Sequence, residues 1–170
     1  MKIRFAYWNV SKYFKNSPKN SIEIRHAFEV LGVHEKIRRP YSKYLLSTLD
    51  SDFSENEFGS FEKLLQEIKK IEDGEIENFI FEGDGFIHYI NKNSVTFEHA
   101  IFGVCPHWPL WSCPLSHYKI AVQAARDFYA LPESLKSEVV VELPESDMAQ
   151  VTLFPPIFSE KEIALEAKPD

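Results

Sequence analysis

Cysteine and glycine are scarce in this chain: two cysteines, Cys105 and Cys113, and six glycines among 170 residues. Two thiols allow at most one bridge, which excludes a disulfide-framed fold and suits a reducing compartment. The few glycines leave no phosphate-cradling loop. Gly83-Asp84-Gly85 starts like one, but no third glycine and no helix follow it. No apolar run approaches the roughly 20 residues that cross a bilayer. The opening Met1-Lys2-Ile3-Arg4-Phe5 lacks an apolar stretch of signal-peptide length. A cytoplasmic location with no membrane partner is therefore expected. The patterns G-x-S-x-G and H-E-x-x-H and the calcium-binding EF-hand loop are missing too.

What the chain does have is aromatic bulk and uneven charge. Phenylalanine occurs 14 times, and apolar residues make up 44% of the sequence, enough for a sizeable, largely aromatic core. One domain over residues 1–170 is expected, with a frayed tail over 160–170. Residues 1–45 carry ten Lys and Arg against three acids, whereas the rest carries nine bases against twenty-three acids. The net charge is −7. An acidic exterior attracts basic partners and repels nucleic acid.

The pattern of residues predicts a strand over Lys2–Trp8, a loop to Asn20, and a helix from Ile22 with Ile24, Ala27, Phe28 and Leu31 on one face, stopped at Gly32. A short helix is expected over Tyr41–Leu49 and an acidic loop over Asp50–Gly59. Another helix should start at Ser60, with Phe61, Leu64, Leu65, Ile68 and Ile71 at helical spacing. Ile76–Glu82, Phe86–Ile90 and Ser94–Phe102 read as an antiparallel meander joined by Gly83-Asp84-Gly85 and Asn91-Lys92-Asn93. Such turns suit residues that tolerate positive φ. Proline points to a loop over Gly103–Pro114, and Ser116 opens a helix that ends at Pro132. Strands are expected over Ser137–Leu143 and Val151–Phe154. The expected class is α+β: an antiparallel sheet, made of the meander at about 76–102 plus strands near 2–8 and 137–143, packed with several helices.

Several groups of residues carry possible chemistry. Cys105, His107, Cys113 and His117 are the metal candidates, but their spacing is not that of paired C-x2-C units, and two buried thiols with two imidazoles is the simpler reading. Cys113 lies just before a helix start, where its pKa would fall, so it could pair with His117, His99 or His88 as a nucleophile. Cysteine is also among the most buried residue types. Glu82, Asp84 and Glu98 could act as acid and base, although acids in turns are usually solvated. His88 and His99 could face each other across the meander as in a nuclease, but the surrounding acids oppose phosphate. Lys12, Lys15, Lys19, Arg38 and Arg39, near Tyr7, Trp8, Tyr13 and Phe14, could hold a single strand of nucleic acid, or could balance the acidic remainder of the molecule.

The stretch 115–145 consists of Pro114-Leu115-Ser116-His117-Tyr118-Lys119, an Ala-rich helix ending Phe128-Tyr129-Ala130-Leu131-Pro132-Glu133, and Val139-Val140-Val141-Glu142-Leu143-Pro144-Glu145. It resembles segments of bacterial immunity proteins, including those of contact-dependent growth inhibition. Ala124 and Ala125 stand where that pattern has a bulky aromatic. The resemblance implies a non-enzymatic protein that binds one basic toxin domain, often a nuclease, and covers its active site, with no metal and no cofactor. An acidic surface would steer that association. The partner-binding residues expected on this reading are Asp50, Asp52, Glu55 and Glu57 in one loop, Asp73, Glu75 and Glu77 before the meander, and Trp108 and Trp111 as apolar anchors or core. A cysteine- and histidine-dependent enzyme and a nucleic-acid module built on the basic segment are the alternatives.

Overall fold

Alternation of inward apolar and outward polar residues builds two separate antiparallel sheets. A computed structural model describes residues 1–11, 23–53 and 58–145. The expected strand at Val151–Phe154, the tail at 160–170, and Lys12, Lys15, Lys19, Tyr13 and Phe14 lie outside the described residues. The first sheet has the order β2-β1-β7, with β1 at Lys2–Asn9, β2 at Ile24–Leu31 and β7 at Glu138–Glu142. The second has the order β3-β4-β5-β6, with β3 at Asn78–Glu82, β4 at Phe86–Asn91, β5 at Ser94–His99 and β6 at Trp111–Pro114. The helices are α1 at Glu35–Pro40, α2 at Ser47–Ser51, α3 at Phe58–Glu72 and α4 at Leu115–Tyr129. The class is α+β, and the strands read as one sheet divide into two.

The expected helix at 22–31 is a strand. All eight residues of β2 pair with β1, from Lys2 opposite Leu31 to Asn9 opposite Ile24. The segment carries both periods: Ile24, Ala27, Phe28 and Leu31 fit a helix, while Ile24, His26, Phe28 and Val30 fit one face of a strand. The partner strand decides: β1 pairs along the whole length of β2, which as an edge strand needs that one neighbour to bond its inward-pointing backbone groups. A second difference is β6, which forms inside the expected proline loop. It lies at the edge of its sheet, where proline is tolerated. The basic stretch 36–40 is helical. At Pro40 the lost N–H interrupts the α ladder, and the chain continues as a π-helical segment, Tyr41–Leu46, before α2.

Helix α4 packs against β1 and β7 of one sheet and β5 and β6 of the other. Contact on two sides explains why Ala121, Ala124 and Ala125 are all buried: small side chains let both sheets approach the helix. One end of this core is aromatic, with Tyr7 and Phe128 at 4.8 Å and Phe5 and Phe28 at 4.8 Å between ring centroids. In the second sheet, Tyr44 stacks on Trp111 at 5.5 Å, and Trp111 on Phe97 at 5.5 Å. Helix α3 packs on α4 and on β3.

Candidate functional site

The polar chemistry expected of this chain is drawn into its core. His88 on β4 is fully buried, and so is the Asp52 side chain at the end of α2. Asp52 accepts hydrogen bonds from Thr48 Oγ1 at 2.6 Å, from the Gly85 N–H at 2.6 Å and from Ser51 Oγ at 2.8 Å. Thr48 spends its proton on Asp52, so the 2.6 Å contact between Thr48 Oγ1 and His88 Nε2 is a donation from the imidazole. Nδ1 is then the acceptor and takes the Tyr118 hydroxyl proton at 2.6 Å. The directions form one chain: Tyr118 to His88, His88 to Thr48, Thr48 to Asp52. It ties α4, β4 and α2 to the turn between β3 and β4.

Charge follows from this arrangement. Burial holds the His88 imidazole neutral, with its pKa below the ordinary value although Asp52 lies 3.3 Å away. Burial favours the protonated form of Asp52, but hydrogen bonds from His88, Thr48, Gly85 and Ser51 outweigh it and hold the carboxyl below the usual range. Tyr118 is pushed far up, by burial first and then by Cys113 and Asp52. A neutral imidazole sealed between a phenol and a hydroxyl, with no exposed surface, is a structural hub.

The nucleophile expectation fails on position. Cys113 is buried, and burial raises its pKa where proximity to a helix start was expected to lower it. His117 faces away to other partners, with Tyr41 Oη at 2.6 Å and the Pro144 carbonyl at 2.8 Å. Cys105 and Cys113 are free thiols. Among the described residues no group of three or more His, Cys, Asp and Glu side chains could hold a metal. His88 and His99 do not oppose each other: His88 faces Phe97, and His99 faces Phe86.

The acids expected to bind a partner fall into different settings. Asp50 is exposed and holds His26 at 2.5 Å. Asp52 is a correction: it is buried, because the glycine turn leaves room for it and Thr48, Ser51 and the Gly85 N–H donate to it. Asp73, Glu75 and Glu77 are exposed, with Asp73 paired to Lys69. Glu55 and Glu57 lie outside the described residues. Trp111 is a second correction, since it sits fully buried between Tyr44 and Phe97 as core. Trp108 is partly exposed.

Sequence reasoning missed the segment that carries Trp108. Residues 100–110 display Ile101 at 76% exposure, Phe102 at 63%, Val104 at 60% and Leu110 at 45%. Large apolar side chains exposed side by side mark an interaction surface more strongly than scattered ones. The segment is also pinned from beneath. His99 Nδ1 accepts the N–H groups of Ile101 and Phe102 at 3.2 and 3.3 Å, and its ring lies 4.3 Å from Trp108. Lys43 Nζ sits 4.1 Å over the Trp108 ring and donates to the His107 carbonyl at 2.5 Å. The Tyr44 hydroxyl donates to the Pro109 carbonyl at 2.5 Å. The only sequence signal was a cluster of apolar residues among prolines, which also describes a buried loop.

Acids border this platform. Gly85 accepts the Ala100 N–H at 2.9 Å, which places Asp84 beside the base of the segment. Glu98 Oε1 lies 3.8 Å from where a Cβ on Gly103 would stand. On the outer face of β3-β4-β5, Glu82, Ile87 and Glu98 form one cross-strand row, and Ile80, Tyr89 and Thr96 the next. Tyr89 donates to Glu98 at 2.9 Å. Asp84 and Glu98 therefore lie beside the platform, whereas Glu82 stands two strands from Glu98 in the row, so the three do not converge as an acid–base pair.

Comparison with family models, curated proteins and solved structures found no significant match for this chain. No helix among the described residues is long and apolar enough to cross a membrane.

Proposed function

We propose that this chain is a stoichiometric binding protein that docks on a basic protein and covers its working surface, as the immunity proteins resembled by residues 115–145 do. The observation that carries the reading is the pinned platform of Ile101, Phe102, Val104 and Leu110, with Asp84 and Glu98 alongside. Rigid apolar side chains lose little entropy on binding, and a flanking set of acids steers a cationic partner and disfavours an anionic one. Lys43, beside the platform, is already held over Trp108 and by the His107 carbonyl. A nuclease-type toxin domain, made basic by its need to grip phosphate, is the partner class that such a surface suits, in the cytoplasm of the producing cell.

The test is capture of the partner from the producing cell, followed by co-expression. The reading expects a basic protein that slows growth when expressed alone and is neutralised by this chain. Neutralisation should be lost with the Ile101→Asp, Phe102→Asp double variant and weakened by Glu98→Lys. A partner that is not basic, or one that the double variant still neutralises in full, would reject it.

A further inference from the structure

β3 and β6 are the edge strands of the second sheet, and the hairpin that joins β3 to β4 fixes which groups of β3 are left unpaired by β4. Gly83 N–H donates to the Phe86 carbonyl at 2.9 Å, so these two close the turn as a hydrogen-bonded pair. Pairing alternates along an antiparallel ladder. Phe81 with His88 and Phe79 with Ile90 are then the bonded pairs, and Ile80 opposite Tyr89 is not. The N–H and C=O of Ile80 consequently point away from β4, to an edge that no strand covers among the described residues.

A groove of about 280 Å³ runs along this edge, between β3 and helix α3. Phe79, Phe81 and Leu64 supply its apolar wall, and Ser60 and Lys63 its helix side. Behind it lies a ring stack, with Phe81 on Phe53 at 5.1 Å and Phe53 on Phe61 at 4.5 Å. Edge strands are commonly guarded by lysine, proline or a bulge. The Asn-Phe-Ile-Phe-Glu of β3 has none of these, and Ile80 is 51% exposed.

We infer that the β3 edge and its groove receive an extended segment of a partner protein, which adds a fifth strand and places one large apolar side chain against Phe79, Phe81 and Leu64. Main-chain bonds to Ile80 supply affinity, and alternate side chains supply selection. On the outer face the incoming residue beside Glu82 is Lys or Arg, since opposite charges pair favourably across strands. On the groove face Lys63 disfavours a cation. A second copy of the chain fits less well. Two five-residue edges, each about 17 Å long, bury far less than the roughly 1,200–2,000 Å² of a stable interface. β3 itself also has no Lys or Arg to set beside Glu82, whereas a partner's segment can carry one. The inference stands without the basic-toxin reading, and its test needs no toxin.

The experiment titrates the full chain, labelled for NMR, with a synthetic capped peptide that alternates leucine or valine on one face with threonine and lysine on the other. The expected result is that the amides of Asn78, Ile80 and Glu82 shift and gain protection from exchange. Ile80→Pro removes the outward donor at an edge position that tolerates proline, and should weaken binding about tenfold or more. The same peptide N-methylated on the residues facing β3 should also lose binding to the unaltered chain, which keeps the test independent of how the variant folds. Unchanged β3 amides, or equal binding of the methylated peptide, would overturn the inference. So would amides of Asn78, Ile80 and Glu82 already protected in the free chain, whether as a dimer by sedimentation, with a second copy on the edge, or as a monomer, with the chain's own segment there.

Discussion

A Cβ built on Gly83 would stand 2.3 Å from Asp52 Oδ2 and 2.4 Å from its Cγ. Neither Gly83 nor Gly85 has a positive φ. The glycines of this turn therefore make room for a buried carboxylate, and left-handed backbone is not their reason. Gly83→Ala is expected to destabilise the fold by about 1–3 kcal/mol, since Asp52 cannot retreat without leaving its donors. Urea unfolding measures this. A midpoint equal to that of the unaltered chain would show that Asp52 moves freely.

The hub makes stability depend on pH. His88 is held below its ordinary pKa in the fold. Unfolded histidine takes up a proton below about 6.5 while the folded one does not, so its contribution is present above that pH and is lost as pH falls through it. Asp52, also lowered, adds a second loss below about 4, where unfolded aspartate protonates. His99, lowered by partial burial and by Lys43, acts in the same direction as His88. Stability is expected to fall by up to about 1.4 kcal/mol per pH unit per proton. His88→Gln should flatten that slope between about pH 5 and 7. Thermal melts across this range that coincide for the two proteins would remove His88 as the cause.

The two thiols should behave differently. Cys113 is fully buried with its pKa pushed up, whereas Cys105 is partly exposed. A thiol reagent such as dithiobisnitrobenzoate is expected to label one thiol in the native protein and both in urea. Cys105→Ser should abolish the native reaction. Native labelling at Cys113 would contradict its position.

Trp111 and Phe102 offer a contrast between core and platform. Trp111 is fully enclosed, and Trp111→Ala is expected to cost about 3–5 kcal/mol. Phe102 projects into solvent, and Phe102→Ser should change stability by no more than about 0.5 kcal/mol. Calorimetric midpoints of the two variants decide this. A large loss from Phe102→Ser would mean that its ring supports the loop and is not free for a partner.

Much of the local structure was legible. The meander, helix α3, helix α4 and the Val-rich β7 follow from period and punctuation, and 14 phenylalanines foretold an aromatic core. The site was not legible in the same way. Asp52 looked like any acid in a polar loop, and Trp111 and Trp108 looked alike, three residues apart in one Pro-rich stretch. Exposure of Ile101 and Phe102 could not be read at all, because an apolar residue next to a glycine serves equally well in a core or on a surface.

The sequence by itself determined the α+β class, the hairpin turns and the acidic balance, because these rest on short-range spacing and on counts. Tertiary structure alone decided that 24–31 is a strand, that two sheets enclose α4, that Asp52 and His88 are sealed together, and that β3 is an edge with no strand on its outer side among the described residues. Each of those depends on which distant segment arrives to satisfy a backbone group or fill a volume, and neighbours along the chain carry no record of that.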